Sequence, residues 1–247
     1  MSRRDTILER IRTTLAGEPD VPPPPVPELW PPGTWTPPGD LAGRFLEELV
    51  RVDGEGFCCV SIASAQQQLC ALVSQPDWVK IGVVDHPLCR AAVAGIDPDR
   101  LVWVEDGCDR QHLAELPVGL MPAQFLLADT GTAVVTARSA TERLLCYLPH
   151  TAVLLAERDN LVAHMSDMWD RLTSWSADPA LRGEIVLVTG PSRTADIEKQ
   201  IVLGAHGPKR LIVLIVAETR AALRQVPRAG GKQAVGELTA EGLGVGY

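Results

Sequence analysis

Between Gly190 and Pro208 the sequence gathers Ser192, Arg193, Thr194, Asp196, Glu198 and His206 around one turn, GPSRTADIEKQIVLGAHGP. These side chains hold anions and carry protons. The aliphatic run Ile185 to Val188 ahead of them predicts a strand that stops at Gly190-Pro191. The spacing of Ile197, Ile201 and Val202 predicts a helix starting just after Ser192 and Arg193 and ending at Gly204, ahead of a buried strand over Leu211 to Val216. A helix start leaves backbone N–H groups without intrahelical partners at the positive end of the macrodipole, where an anion fits. Ser192 and Thr194 are competent N-caps, and Asp196 or Glu198 can reach back as in a capping box. Arg193, in the loop, can clamp a carboxylate or phosphate with two parallel hydrogen bonds. An ordinary strand–helix–strand crossover whose polar residues only cap a helix would use the same residue types, so spacing alone leaves both readings open.

A second stretch, Ala128-Asp129-Thr130-Gly131-Thr132, lies between two apolar runs. Asp129, the hydroxyls of Thr130 and Thr132, and a close backbone approach at Gly131 would form a donor surface for a carboxylate or phosphate. A tight hairpin turn asks for the same residues. Pro149-His150 follows the Leu144 to Leu148 run and offers a general acid or base. His150, His206 and Glu198, with Asp129 or Asp196, would suffice for proton transfer or for a metal if the fold brought them together. Gly190, Ser192, Arg193, Thr194 and Asp196 would be the binding groups opposite the Asp129–Thr132 stretch. No recognisable nucleophile, dinucleotide or P-loop motif is present, and no metal site is assigned.

The elements that must position these residues alternate. Helices are expected over Leu41–Val52, Ser64–Ser74 and His86–Ala94, and strands over Gly56–Ile62, Lys80–Val84 and Leu101–Val104, which predicts an open, mainly parallel α/β sheet with helices on both faces. Ligands on such sheets gather at the carboxyl ends of strands. From Val118 the rhythm changes: Phe125–Ala128, Ala133–Val135, Leu144–Leu145 and Ala152–Ala156 are short apolar runs that suggest hairpins or a β-rich insertion. Asn160–Trp175 reads as a helix with a Leu161, Met165, Met168, Trp169 and Leu172 stripe. Ahead of the domain, residues 1–38 read as an amphipathic helix followed by an arm, of which Pro19 to Pro38 is half proline and carries Trp30 and Trp35. The arm is an expected homo-oligomer contact. Residues 39–220 form the α/β domain, and 221–247 a loose tail rich in Gly, Ala and charge.

At 247 residues the chain is long enough for one sizeable core. Its net charge of −8 argues against nucleic acid or an anionic membrane as partner. No apolar run reaches the ~20 residues of a membrane span, and the opening alternates charge with Ile and Leu, so a cytoplasmic protein is expected. The six cysteines, Cys58, Cys59, Cys70, Cys89, Cys108 and Cys146, form no CxxC pair and read as reduced residues. A self-contained iron–sulfur cluster or zinc site is therefore not expected.

The string GPSRTADIE, followed by LGAHGP and preceded upstream by ADTGT, resembles the lactate utilization protein C family, the LUD domain. The family's motif residues fall on Asp129, Thr130, Gly131, Thr132, Pro149, His150, Gly190, Pro191, Ser192, Arg193, Thr194, Asp196, Glu198, His206, Gly207 and Pro208. The chain departs from the common pattern at Gly119–Gln124 and at Cys146-Tyr147-Leu148 before the His. The resemblance implies a fold like that of NagB, RpiA and the CoA transferases. It also implies a part in oxidising L-lactate to pyruvate beside iron–sulfur partner subunits, with a small anionic ligand on this chain and no cofactor bound by it alone. Two other readings belong to other classes: a stand-alone sugar-phosphate isomerase or CoA-transferase-like enzyme, with Glu198 the nearest candidate nucleophile, and a non-catalytic assembly subunit.

Overall fold

The structure is a computed structural model that describes residues 3–16, 39–105, 107–178, 185–195, 201–203 and 207–218. It divides into two compact units, Met1–Thr36 and Pro37–Tyr247. In the first, α1 (Arg3–Leu15) is the expected amphipathic helix, and its apolar residues Ile7, Leu8 and Ile11 are exposed. The expected proline arm and the tail from 221 onward lie outside the described residues.

In the second unit the described elements follow in order: α2 (Leu41–Arg51), β1 (Glu55–Ser61), α3 (Ile62–Val73), β2 (Ile81–Val84), α4 (Pro87–Ala92), β3 (Leu101–Val104), α5 (Arg110–Glu115), β4 (Val118–Pro122), β5 (Phe125–Leu127), β6 (Thr132–Thr136), α6 (Ala140–Leu145), β7 (Thr151–Glu157), β8 (Leu161–Val162), α7 (Trp169–Ala177), β9 (Ile185–Val188), β10 (Arg193–Ala195), β11 (Ile201–Leu203) and β12 (Arg210–Glu218). Six of these strands form one parallel sheet in the order β1-β12-β7-β4-β2-β3.

Burial explains why the central strands read as unbroken apolar runs. Along β12 Leu211, Val213 and Ile215 enter one core while Ile212, Leu214 and Val216 enter the other, and Leu154 and Val153 of β7 divide the same way. Such a strand has no solvent face to mark with polar residues. The first core is closed by Phe45 and Leu49 of α2, Leu113 of α5 and Leu145 of α6, the second by Leu69 of α3 and Leu88 and Cys89 of α4. Phe45 and Leu49 are 0% exposed, and each contributes about 2 kcal/mol by leaving water. The sheet is therefore mainly parallel and covered on both faces, as its strand–helix alternation predicts.

A second, four-stranded sheet in the order β8-β5-β6-β9 is the β-rich insertion. Chain crosses to it at Ala123, whose N–H donates to Leu155 of the large sheet, and Gln124, whose N–H donates to Val134 of the small one. Leu126, Ala133 and Val135 join the first core, while Leu127 and Val134 face Met168 and Trp175 on the outer side.

Three stretches differ from expectation. Ala152–Ala156 belongs to β7 in the middle of the large sheet, not to the insertion. Leu144–Leu145 ends α6, whose cap Ser139 accepts the Glu142 N–H at 3.1 Å; the Ser-x-x-Glu spacing was the available signal. Within Asn160–Trp175, Leu161 and Val162 pair with Leu126 and Leu127 as a strand, and α7 begins only at Trp169. Of the Met/Trp stripe, Met168 is buried, whereas Met165 and Trp169 are exposed.

At the sheet edge Arg210 of β12 grips Glu55 of β1 through Nε to Oε1 at 2.5 Å and Nη2 to Oε2 at 2.8 Å. That hydrogen bonding holds the Glu55 carboxyl below its ordinary pKa, against a smaller upward push from burial. A carboxyl depressed in the folded state stabilises it above the unfolded pKa of ~4.3 and loses that contribution as pH falls through the folded value. The melting temperatures of wild type and Glu55→Gln are accordingly expected to differ at pH 7 and to converge as pH drops below about 4. A constant difference down to pH 3 would show that the pair contributes through packing alone.

Candidate functional site

The GPSR segment follows β9, which runs antiparallel to β6 in the small sheet. The backbone turns at Gly190 with φ +88. Ser192 donates its N–H to the Pro208 carbonyl at 2.8 Å, and a Cβ built on Gly207 would lie 3.0 Å from that of Ser192. The His150 carbonyl accepts the N–H groups of Lys209 at 2.9 Å and Arg210 at 3.3 Å. Pro149-His150, the Gly190–Arg193 segment and Gly207-Pro208 are thus knitted together by backbone hydrogen bonds. They sit where β7 and β12 begin, at the amino ends of the parallel strands and not at the carboxyl ends where a ligand was expected.

No helix starts after Ser192. Arg193–Ala195 instead forms a strand that pairs antiparallel with Ile201–Leu203, with Arg193 opposite Leu203 and Ala195 opposite Ile201. The expected anion site on a helix N-terminus is therefore corrected, and so is the strand–helix–strand crossover from 185 to 216, because β9 and β12 lie in different sheets. Cap-type residues misled the expectation: Ser, Thr and Asp serve a tight turn as readily as a helix start. Arg193 is partly exposed and forms an ion pair with Asp53, itself at the left-handed φ of 61. Thr194 pairs with Val202 through the backbone. Asp196, Glu198 and His206 lie outside the described residues.

The Asp129–Thr132 bend meets this region directly. Thr132, 4% exposed, shares a hydrogen bond with Thr189 at 2.7 Å, and Thr130 shares one with Thr132 at 2.7 Å. Thr130 also donates to Asp129 Oδ1 at 3.2 Å, while Asp129 Oδ2 lies 2.8 Å from His164 Nδ1. An ionised carboxylate only accepts. Thr130 Oγ–H therefore points at Asp129, Thr132 donates to Thr130 and Thr189 to Thr132, and the same Asp129 carboxylate holds the His164 ring beside the bend. His164 escaped the sequence reading because the stretch around it was assigned to a helix.

The two glycines do different work from the one expected. A Cβ on Gly131, at φ +64, would lie 2.5 Å from the Leu49 nitrogen, and one on Gly190 would lie 2.6 Å from the Val52 carbonyl oxygen. Both bends are pressed against the end of α2, so the close approach serves packing. His150 is exposed and enters the network through its carbonyl. A shallow depression of about 350 Å³ lies elsewhere, lined by Asp77, Lys80, His112 and Glu115 among others, and shares no residue with the motifs.

Among the described residues no three His, Cys, Asp or Glu side chains are grouped to hold a metal, and all six cysteines are free thiols. No helix among the described residues is long and apolar enough to cross a membrane.

Comparison with known proteins places this geometry. Lactate utilization protein C of Macrococcus caseolyticus is 30% identical over 133 residues, covering 51% of this chain and 58% of that protein. The Halalkalibacterium halodurans protein of the same name is 31% identical over 122 residues, covering 47% and 52%. The Bacillus subtilis protein is 28% identical over 102 residues, covering 41% and 42%. The chain therefore matches about half the length of these curated relatives. A crystal structure of a DUF162 family protein from Deinococcus radiodurans aligns with a TM-score of 0.56 at 17% identity, covering 72% of this chain and 96% of that one, and shares its fold. The model of the LUD domain matches residues 42–216, from α2 to β12 and across every described motif, and the chain belongs to the LUD domain family.

Proposed function

We propose that this chain takes part in lactate utilization, as a subunit that binds a small carboxylate beside Arg193 and works with iron–sulfur subunits that supply the redox centre. The hydrogen bond between Thr132 and Thr189 carries the reading. It locks the two family motifs into one surface whose rim holds the partly exposed Arg193. A guanidinium paired with an exposed aspartate exchanges that partner for a ligand carboxylate at little cost, because exposed ion pairs contribute only about 0–1 kcal/mol. The names of the curated relatives supply the substrate class, and the scattered thiols of this chain fit a division of labour in which the cluster lies in a partner.

L-Lactate or pyruvate at a hundred times its Kd is expected to stabilise the protein by about 2.7 kcal/mol. The rise in melting temperature should vanish in Arg193→Ala and persist in Asp53→Asn, which frees the guanidinium. Stabilisation that survives Arg193→Ala would move the ligand elsewhere. Absence of any shift, together with co-purification of iron–sulfur proteins, would leave assembly as the function.

A further inference from the structure

At the end of the large sheet opposite the family motifs the connections between strands change faces. From β1 through α3, β2 and α4 the chain keeps its helices on one face, and from β3 through α5, β4 and α6 it keeps them on the other. β2 and β4 are neighbours, yet the chain leaves β2 toward one face and β4 toward the other. A crevice opens at the carboxyl ends of two such strands, and ligands of open α/β sheets bind there.

The residues at this crevice are donors. His86, immediately past β2, caps α4 by accepting the Leu88 N–H on Nδ1 at 3.2 Å, which puts the proton of the neutral ring on Nε2. Burial, aided by the charge of Arg138, pushes the His86 pKa down and keeps the ring neutral, against a weaker pull from Asp85. Gln124, just past β4, accepts the Thr136 N–H on Oε1 at 2.7 Å, so its amide NH2 is turned away from that strand. Arg138 follows two residues after Thr136, is exposed, and acts electrostatically on both Asp85 and His86. Among the described residues no carboxylate pairs with its guanidinium. The neighbouring cation is already engaged, since Arg90 pairs with Asp85 and stacks over Trp103 at 4.6 Å. Glu142 likewise accepts the Arg138 backbone N–H at 2.7 Å. The local acids are thus committed, while His86 and Gln124 lie just past the ends of the adjacent strands β2 and β4 and Arg138 two residues past the end of β6, and the Arg138 guanidinium, His86 Nε2 and the Gln124 NH2 have no acceptor among the described residues.

We infer that Arg138, His86 and Gln124 form an anion site at the junction of β2 and β4, taking the carboxylate or phosphate group of a small molecule. Arg138 supplies the charge and a two-pronged hydrogen bond, and the two neutral donors fix the group's orientation. The site is independent of the one beside Arg193 and stands or falls separately from it.

Inorganic phosphate and L-lactate, titrated separately into the 15N-labelled full chain, test this by NMR. Either anion is expected to shift the Gln124 side-chain amide and the His86 ring signals with saturable curves. Arg138→Gln should weaken that binding at least tenfold. Arg51→Gln removes the same charge from an exposed position on α2, where Arg51 pairs with Glu48 at 2.6 Å, and should leave it unchanged. Phosphate acting alone would point to a phosphorylated ligand, and lactate acting alone to a carboxylic acid; both support the site. Unmoved signals, or equal weakening by both substitutions, would overturn it. Shifts confined to Ser192 and Arg193 would overturn it too while upholding the other reading.

Discussion

Gly131→Ala is expected to destabilise the fold by about 3 kcal/mol, near the upper end for a one-carbon change. Two costs combine. At φ +64 any residue with a Cβ pays ~1 kcal/mol for the left-handed conformation. The added carbon would also stand 2.5 Å from the Leu49 nitrogen and 2.8 Å from the Glu48 carbonyl carbon. Both obstacles are backbone atoms of a helix pinned by Phe45 and Leu49, so no rotamer change relieves them. Urea denaturation should show a lower midpoint with an unchanged slope. A loss below 1 kcal/mol would mean that the bend moves freely away from α2, and the packing role given to this glycine would be wrong.

Leu49→Ala should cost a similar amount, about 3–4 kcal/mol within the range for fully buried leucines. Leu49 is 0% exposed. Its side chain also fills the space above two glycines, since a Cβ on Gly54 or Gly56 would come within 2.4 Å or 3.0 Å of its methyl carbons. Truncation opens a cavity where α2 meets β1. It leaves untouched the backbone nitrogen that obstructs a side chain at position 131. The double variant is therefore expected to lose roughly the sum of both costs, and rescue of Gly131→Ala by Leu49→Ala would show that the side chain, not the helix backbone, is the obstacle.

How much of this was legible in the residues varies along the chain. The helix expected at Leu41–Val52 declared itself because Leu41, Phe45, Leu49 and Val52 recur at helical spacing, and it is seen as Leu41–Arg51. The parallel sheet was legible from β1 to β3, where strand and helix alternate. β7 was misassigned because a strand buried on both faces lacks a polar rhythm. The pairing of 193–195 with 201–203 was hidden by residues equally suited to capping a helix, and it is a strand contact that spacing does not encode. The Asp129–Thr132 bend and the segment that follows β9 meet where Thr132 bonds to Thr189. Their position at the amino ends was not visible, because it follows from the approach of the Gly131 and Gly190 bends to the end of α2. His164 carried no local signature, because it gains its place through Asp129, 35 residues away in sequence.

The position of β12 has a consequence for biosynthesis. Its register joins Ile212 to Glu55 on one side and Val153 on the other, so the last described strand lies between the first and the seventh. Among the described strands β1 has no neighbour until β12 has been made, and its edges stay open in the meantime. Such long-range closure is slow and leaves apolar edges open to aggregation. Variants that end before residue 210 should therefore accumulate as insoluble material, while a trigger that delays release of the polypeptide should have little effect on yield.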